Sequence, residues 1–469
     1  MKSTQFFLSI LFSFFTLAGI AQNAPSPFMG YWKGFIKLSE TQQVGMILHI
    51  NQNAGKPVVK LSSSRGLSGL LVPEVKIANN QLNFSIKAYA AVYQGMLTQN
   101  HKMIQGTWQQ AGQKLLLSFN KINRQEAFFA RAQTPRPPFP YQVQEVRYTN
   151  ASDKVALAGT LTLPPKTDKK VPALILLTVA GPNDRNQAFA GHQPYAVVAD
   201  YFTRQGIAVL RSDDRGVGKS QGSLFQSTIA DFAEDTQAAI RFLQKHPQIN
   251  SKRIYLAGNS EGGAVAALTA SLNPAVAGII LLAAPGINTQ QIILKQGKNL
   301  GKTLNYSTDQ ITQIQQRGKE LFQIIATEKD NRRARKKIKQ LMKKYKNAPS
   351  LPNYFAKNEE EAIDLYLSPW YRYQLDFNPT QVLQKVKCPV LALNGSLDRV
   401  IMPKENLAAI RQALIKAGNS DVTIQRVPGL NHIFQTAKTG SPLEYGKLTE
   451  SFSPKALKII YAWLEDRLK

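Results

Sequence analysis

Residues Arg253 to Gly263 read RIYLAGNSEGG. Arg253 to Ala257 has the apolar texture of a buried strand, and the small residues from Ala264 onward (AVAALTAS) have that of a helix. Between them stands Gly258-Asn259-Ser260-Glu261-Gly262, the G-x-S-x-G spacing of a nucleophile elbow. The glycines have a steric reason. A serine on so sharp a strand-to-helix turn crowds its neighbours, and side chains at 258 and 262 would collide with backbone. The turn lifts the Ser260 hydroxyl above the sheet edge and aims the amide of Glu261 at a reacting carbonyl oxygen.

The segments around this motif alternate in type. VRYTN (146–150) and VALAGTLTLP (155–164) read as a strand pair, and VPALILLTVAG (171–181) as a strand buried on both faces. YAVVADYFTRQG (195–206) is helical and GIAVLRSDDRG (206–216) is a strand and turn. IADFAEDTQAAIRFLQKH (229–246) is a helix with acids in its first turns and Lys245 and His246 at its end, which suits the helix dipole. AGIILLAAPG and CPVLALNGS are further buried strands. This βαβ rhythm implies a mostly parallel sheet flanked by helices. It breaks at about 286–379, a polar, helical stretch read as a cap inserted after one sheet strand.

Before this region the texture differs. Residues 25–130 hold short alternating strands such as GYWKGFIKL, VGMILHI, PVVKL, QLNFSIKAY, MIQGTWQQ and KLLLSFNKI, which imply a small antiparallel β-sandwich or barrel. It carries no cluster of catalytic residue types, and His49 and His101 read as structural. Residues 131–141, within which QTPRPPFPY carries four prolines, read as a stiff linker, leaving 142–469 to the α/β domain. At the very start, Lys2 precedes the apolar run Phe6–Ile20, and Gly19 and Ala21 have signal-peptidase spacing. Residues 1–21 are therefore expected to be a signal peptide, with a periplasmic or secreted product; the run is short for a full membrane span. No other segment is apolar enough to cross a bilayer.

Charge and cysteine usage narrow the classes. The formal charge is +28, and much of it lies in Arg332–Lys346 (RRARKKIKQLMKKYK), where Ile338, Leu341 and Met342 recur at helical spacing. The pattern reads as a helix with a basic outer face, which could attract an anionic envelope surface. No nucleic-acid partner is expected, since neither a zinc-finger nor an aromatic RNA-binding pattern accompanies it. The single cysteine, Cys388, excludes an internal disulfide and reads as a core residue at a strand start. Its position also excludes a lipid-modified cysteine at the signal cleavage site.

A serine hydroxyl needs a base at neutral pH, and the chain has five histidines. His246 closes a helix, and His192 could approach the site. His432, in VPGLNHIF after the last expected strand VTIQRV, is the better candidate for the base. Asp398, in VLALNGSLDRVIMP, follows a buried strand and a glycine turn and is preferred over Asp376 as the acid that orients the imidazole. A second oxyanion amide is expected from Ala180, in the loop AGPNDR after the strand ALILLTV. Gly216-Val217-Gly218-Lys219-Ser220 imitates the end of a P-loop, but Asp213 stands where that motif needs glycine. With Asp214 and Arg215 it reads as a tight turn beside the site.

Together AGPNDRN (180–186), SDDRGVGKSQG (212–222), GNSEGG (258–263), SPWYRY (368–373), NGSLDRVIMP (394–403) and GLNHIF (429–434) resemble bacterial α/β-hydrolases of the serine-aminopeptidase-like and lysophospholipase-like class. The resemblance covers about Tyr141 to Leu468. It implies an α/β-hydrolase fold preceded by a β domain, and exported esterase activity. Val179 departs from the glycine that relatives carry before the oxyanion residue, and Asn259 from the histidine often found before the nucleophile. The expected chemistry is hydrolysis of a small-molecule carboxylic ester by Ser260, His432 and Asp398, with amides of Glu261 and Ala180 as oxyanion donors. Trp370 and Tyr371 are candidates for the substrate pocket. Neither metal nor organic cofactor is implied. The alternatives are a serine peptidase or aminopeptidase acting on short peptides or amides, and a non-enzymatic protein binding an envelope polymer.

Overall fold

The computed structural model describes residues 26–38, 43–53, 56–63, 70–86, 89–110, 112–123, 131–166, 168–349 and 358–469. The signal peptide expected at 1–21 lies outside them, as does part of the cap at 350–357. The chain divides into two compact units, Met1–Phe129 and Ala130–Lys469.

The first unit is all β. Its strands are β1 (Gly30–Lys37), β2 (Gln43–Asn53), β3 (Lys56–Ser63), β4 (Leu70–Leu71), β5 (Glu74–Ala78), β6 (Gln81–Ile86), β7 (Ala91–Leu97), β8 (Met103–Gln110), β9 (Gln113–Leu116) and β10 (Phe119–Ile122). They form one antiparallel sheet in the order β4-β3-β2-β1-β10-β8-β7-β6-β5, with β9 beside β8. Trp32, Leu48, Leu61, Leu82, Tyr93 and Phe119 from across that sheet share a single core. One sheet curled around one core is barrel-like, whereas a sandwich needs two. KLLLSFNKI, expected as one strand, is split between β9 and β10. His49 stacks on Tyr31, with ring centroids 4.2 Å apart.

The second unit carries an eight-stranded sheet: β11 (Gln142–Thr149), β12 (Ala156–Leu163), β13 (Val171–Leu177), β14 (Ala208–Ser212), β15 (Ile249–Asn259), β16 (Gly278–Leu282), β17 (Val390–Gly395) and β18 (Val422–Val427). Their order is β11-β12-β14-β13-β15-β16-β17-β18. β12 pairs antiparallel with both β11 and β14, and every later pairing is parallel. The central strands read as unbroken apolar runs because each face has its own core. Ala173, Ile175, Ile254 and Leu256 point to one core, and Leu174, Leu176, Tyr255 and Ala257 to the other. Each fully buried leucine or isoleucine contributes about 1.5–3 kcal/mol by leaving water.

Helices cover both faces. α1 (Pro194–Arg204) lies on one, while α2 (Ile229–Gln244) and α3 (Glu261–Leu272) lie on the other. α4 (Thr289–Thr303), α5 (Thr308–Thr327), α6 (Asn331–Lys344), α7 (Glu359–Leu367) and α8 (Pro369–Asp376) interrupt the sheet between β16 and β17, forming the cap. α9 (Pro379–Leu383) and α10 (Pro403–Lys416) return to the face of α2 and α3, and α11 (Pro454–Leu468) packs beside α1. The basic stretch is α6. Ala334 and Ile338 are buried against Ile363 and Leu367. Several of its cations meet acids of neighbouring segments: Arg335 pairs with Glu360 and Asp364, Lys337 with Glu328, and Lys344 with Glu320.

Residues 131–141 differ from a free linker, because they are fastened to the second unit. Arg131 Nη2 donates to the carbonyls of Ala190 and Gly446, Gln133 Nε2 donates to Phe452 O, and the Tyr141 hydroxyl donates to Asp200. Among the described residues, no helix is long and apolar enough to cross a membrane, and no three His, Cys, Asp or Glu side chains cluster so as to hold a metal ion.

Candidate active site

β15 ends at Asn259 and α3 begins at Glu261, so Ser260 alone makes the turn. It takes φ 56° and ψ −118°, a backbone state that costs a side-chain-bearing residue about 1–3 kcal/mol. Neighbouring packing holds it there. A Cβ on Gly258 would lie 2.0 Å from Gly262 O, and one on Gly262 would lie 2.3 Å from Leu177 O. The elbow is thus pressed against β13, the strand that delivers the expected oxyanion loop. Ser260 N donates to Leu282 O at 2.8 Å, pinning the turn to β16.

His432 and Asp398 are brought together from loops after β18 and β17. His432 Nδ1 and Asp398 Oδ2 are 2.9 Å apart, and both residues are buried. The other carboxylate oxygen, Oδ1, accepts the amides of Val400 and Ile401 at 2.8 and 2.9 Å, so Asp398 is fixed in place. Asn259 links this pair to the elbow: its Nδ2 donates to Leu282 O at 3.0 Å and to His432 O at 3.3 Å. The departure at 259 therefore has a structural use that composition did not reveal. Among the described residues no hydrogen bond joins the Ser260 hydroxyl to the His432 ring. Such bonds are often long in unliganded hydrolases and tighten with substrate.

The loop bearing Ala180 is organised by Asp214. Thr178 Oγ1 donates to Asp214 Oδ1 at 2.6 Å, and Asn183 N donates to Oδ2 at 2.9 Å. Asn183 Nδ2 in turn donates to Val179 O at 2.8 Å and Gly181 O at 2.6 Å. Burial pushes the Asp214 carboxyl up to about 7, against the pull of these donors. The sequence placed Asp214 only in a turn; its grip on the loop bearing Ala180 is decided by tertiary contact. The rest of that turn is equally tied. Asp213 pairs with Arg185 at 2.7 Å and Arg215 with Asp235 at 2.6 Å. A Cβ on Gly218 would lie 2.4 Å from Asp213 Oδ2. Gly216–Ser220 is a closed turn: Lys219 N donates to Asp213 Oδ2 at 3.1 Å and the Ser220 hydroxyl to Asp213 O at 2.8 Å.

Ser260, Glu261 and Ala180 share the wall of a cavity of about 1000 Å³, with Trp370 and Tyr371 also lining it. The cap supplies most of the remaining wall, with apolar side chains such as Ile314, Leu321 and Phe322. The site is large enough for a drug-sized or larger apolar ligand. The side chain of Glu261, which the sequence reading passed over in favour of its amide, is buried, and its Oε1 accepts the Trp370 indole N–H at 3.2 Å.

Three other candidates lie elsewhere or do other work. His192 is buried, with Nδ1 2.9 Å from the Ser451 hydroxyl and its ring stacked on Phe189; burial and the nearby Arg131 push it down to about 4. Asp376 ends α8 and is exposed. Cys388 is a half-buried thiol packed against the core, pushed up to about 11 by burial.

The profile of a family described as "Serine aminopeptidase, S33" matches residues 191–355, which include Ser260. Esterase EstD of Thermotoga maritima is 22% identical over 299 residues, covering 62% of this chain and 61% of the esterase. Protein bem46 of Schizosaccharomyces pombe is 33% identical over 131 residues, covering 28% of this chain and 40% of that protein. The match thus spans less than two thirds of either relative. Among solved structures, an α/β-hydrolase, GrgF, from Penicillium aligns at TM-score 0.45 and 19% identity, over 70% of this chain and 99% of that one. An esterase of Pyrococcus furiosus aligns at TM-score 0.43 and 17% identity, over 72% and 98%.

Proposed function

We propose that this chain, a member of the α/β-hydrolase superfamily, is an exported hydrolase of carboxylic esters that works through an acyl-enzyme on Ser260. The family profile over residues 191–355 supports the hydrolase assignment; the ester substrate, the residue roles and export are likewise our reading. The observation that carries it is the buried His432–Asp398 pair, 2.9 Å apart, tied through Asn259 to an elbow whose serine opens on the large cavity.

In this reading the Ser260 hydroxyl oxygen attacks the ester carbonyl while its proton passes to His432 Nε2. Asp398 holds the other ring nitrogen and stabilises the imidazolium. The carbonyl electrons collect on oxygen, facing the amides of Glu261 and Ala180. Collapse of that oxyanion breaks the bond to the alcohol, which takes the proton from His432. A water molecule then repeats the sequence on the acyl-serine, releasing the acid and restoring Ser260. Each oxyanion donor is worth about 10²–10³ in rate.

The family description favours a second substrate class, amides of short peptides, because the same machinery serves both. Hydrolysis of a p-nitrophenyl ester set against an aminoacyl anilide separates the two. A fluorophosphonate probe should modify Ser260 and leave Ser260→Ala untouched. Ester hydrolysis surviving in Ser260→Ala would end the reading.

A further inference from the structure

Glu261 follows the proposed nucleophile, and its carboxyl sits in an unusual place. Its Oε1 accepts from Trp370 of α8, while Oε2 is buried and has no hydrogen-bond partner among the described residues. Behind the elbow lies a small cavity of about 80 Å³ that Glu261 shares with Asp213, Asp214, Arg215 and Asp235. The charged neighbours are already committed. Arg215 is paired with Asp235 and Asp153, and Asp213 with Arg185. On the cap side, α8 presents Trp370 and Tyr371, neither of which carries charge. The element behind brings Asp214, a second carboxyl. Arg215, the one cation lining that small cavity among the described residues, is held by Asp235 and Asp153.

Two acids therefore flank the proposed oxyanion hole, and their donors differ. Asp214 receives Thr178 Oγ1 and the Asn183 amide, which suits an anion. Glu261 receives one indole N–H, and a charge on it would leave Oε2 buried without a donor, a costly arrangement. Its own amide is the one offered to the reacting oxygen.

We propose that the Glu261 side chain is a positioning group of the hydrolase: held un-ionised between Trp370 and Asp214, it keeps negative charge away from the oxyanion that its backbone amide receives. This rests on Ser260 being the nucleophile. Burial, opposed by the Trp370 hydrogen bond and reinforced by Asp214, pushes this carboxyl up to about 8. Below that pH the group is neutral and the hole works; above it the carboxylate opposes the charge that develops in the transition state.

The test is the rate of Ser260 phosphonylation by a fluorophosphonate from pH 6 to 9.5, which needs no assumption about the natural substrate. Each protein is scaled to its own rate at pH 7, and far-UV circular dichroism follows folding throughout. Wild type should fall about thirtyfold between pH 7 and 9.5, as expected for one group losing its proton near pH 8. Glu261→Gln keeps the shape and the acceptor for Trp370 but cannot ionise, so its profile should stay level within about twofold. Trp370→Phe removes the donor that favours the anion, so its alkaline fall should move to higher pH. That variant decides the matter if Glu261→Gln does not fold. An equal fall in wild type and Glu261→Gln, a level wild-type profile, or an unmoved fall in Trp370→Phe overturns the inference. A wild type that is not phosphonylated at any pH instead removes the nucleophile assignment beneath it.

Discussion

Asp398 holds His432 with one carboxylate oxygen, at 2.9 Å from Nδ1, and spends the other on the amides of Val400 and Ile401. The acid is thus oriented by its own loop before it orients the imidazole. Replacing Asp398 with Asn keeps the shape but offers an N–H where the ring needs an acceptor. Ester kcat should fall by about 10⁴, with little change in melting temperature. A loss below tenfold would remove Asp398 from the proposed machinery.

The elbow glycines make a steric prediction. A methyl group on Gly262 would sit 2.3 Å from Leu177 O and 2.5 Å from Thr178 O, both backbone at the strand end that leads into the loop bearing Ala180. Gly262→Ala should lower stability by about 1–3 kcal/mol and slow fluorophosphonate labelling, because the strand must retreat. Wild-type stability together with wild-type labelling would show that the contact is slack.

Asp214 acts through the loop it grips. In Asp214→Ala, Thr178 and Asn183 lose their shared acceptor and Ala180 is no longer held in position. We expect kcat to fall about tenfold to a hundredfold with KM changed little, since the loss is felt by the oxyanion. An effect on KM alone would mean that the loop serves substrate binding instead.

The Arg185–Asp213 pair should give stability a defined pH dependence. Burial alone would raise the Asp213 carboxyl, but hydrogen bonds from Arg185 and from the amides of Lys219 and Arg185 hold it below its ordinary value of 3.8. A depressed carboxylate stabilises the fold fully above its unfolded pKa and loses that contribution as pH falls through the folded one. Asp213→Asn should therefore cost about 3–5 kcal/mol at pH 7, and the gap from wild type should narrow below about pH 4. Denaturant unfolding at pH 7 and pH 3 checks this, and a gap that is constant with pH would contradict it.

Cys388, raised to about 11 by burial, should react slowly with iodoacetamide at pH 8 in the folded protein and quickly in denaturant. Cys388→Ala should keep ester kcat within about twofold of wild type. A large loss of activity would mean that this thiol does more than pack.

Much of the molecule was legible one segment at a time. Apolar runs such as ALILL declared strands with two buried faces, because both sides of β13 meet a core. The elbow was legible because its chemistry is local: strand, serine, helix and the glycines that spare a collision all fall within eleven residues. His432 and Asp398 could be chosen by their place after late strands, since a loop at a strand's carboxyl end is where a parallel sheet presents side chains.

Other features exist only once distant segments meet. A barrel and a sandwich share the same alternation of residues, so only the pairing of β1 with β10 decides between them. The proline-rich stretch looks like a spacer until Arg131 finds Gly446, 315 positions away. The side chain of Glu261 is an ordinary acid in sequence. Burial by α8 and the approach of Asp214 give it its character, because the ease with which a carboxyl holds charge depends on the water and donors around it. Sequence alone determined which residues could do chemistry and in which kind of element each would stand. Tertiary structure decided which were brought within reach and what charge each could carry, because distance and desolvation belong to the assembled chain.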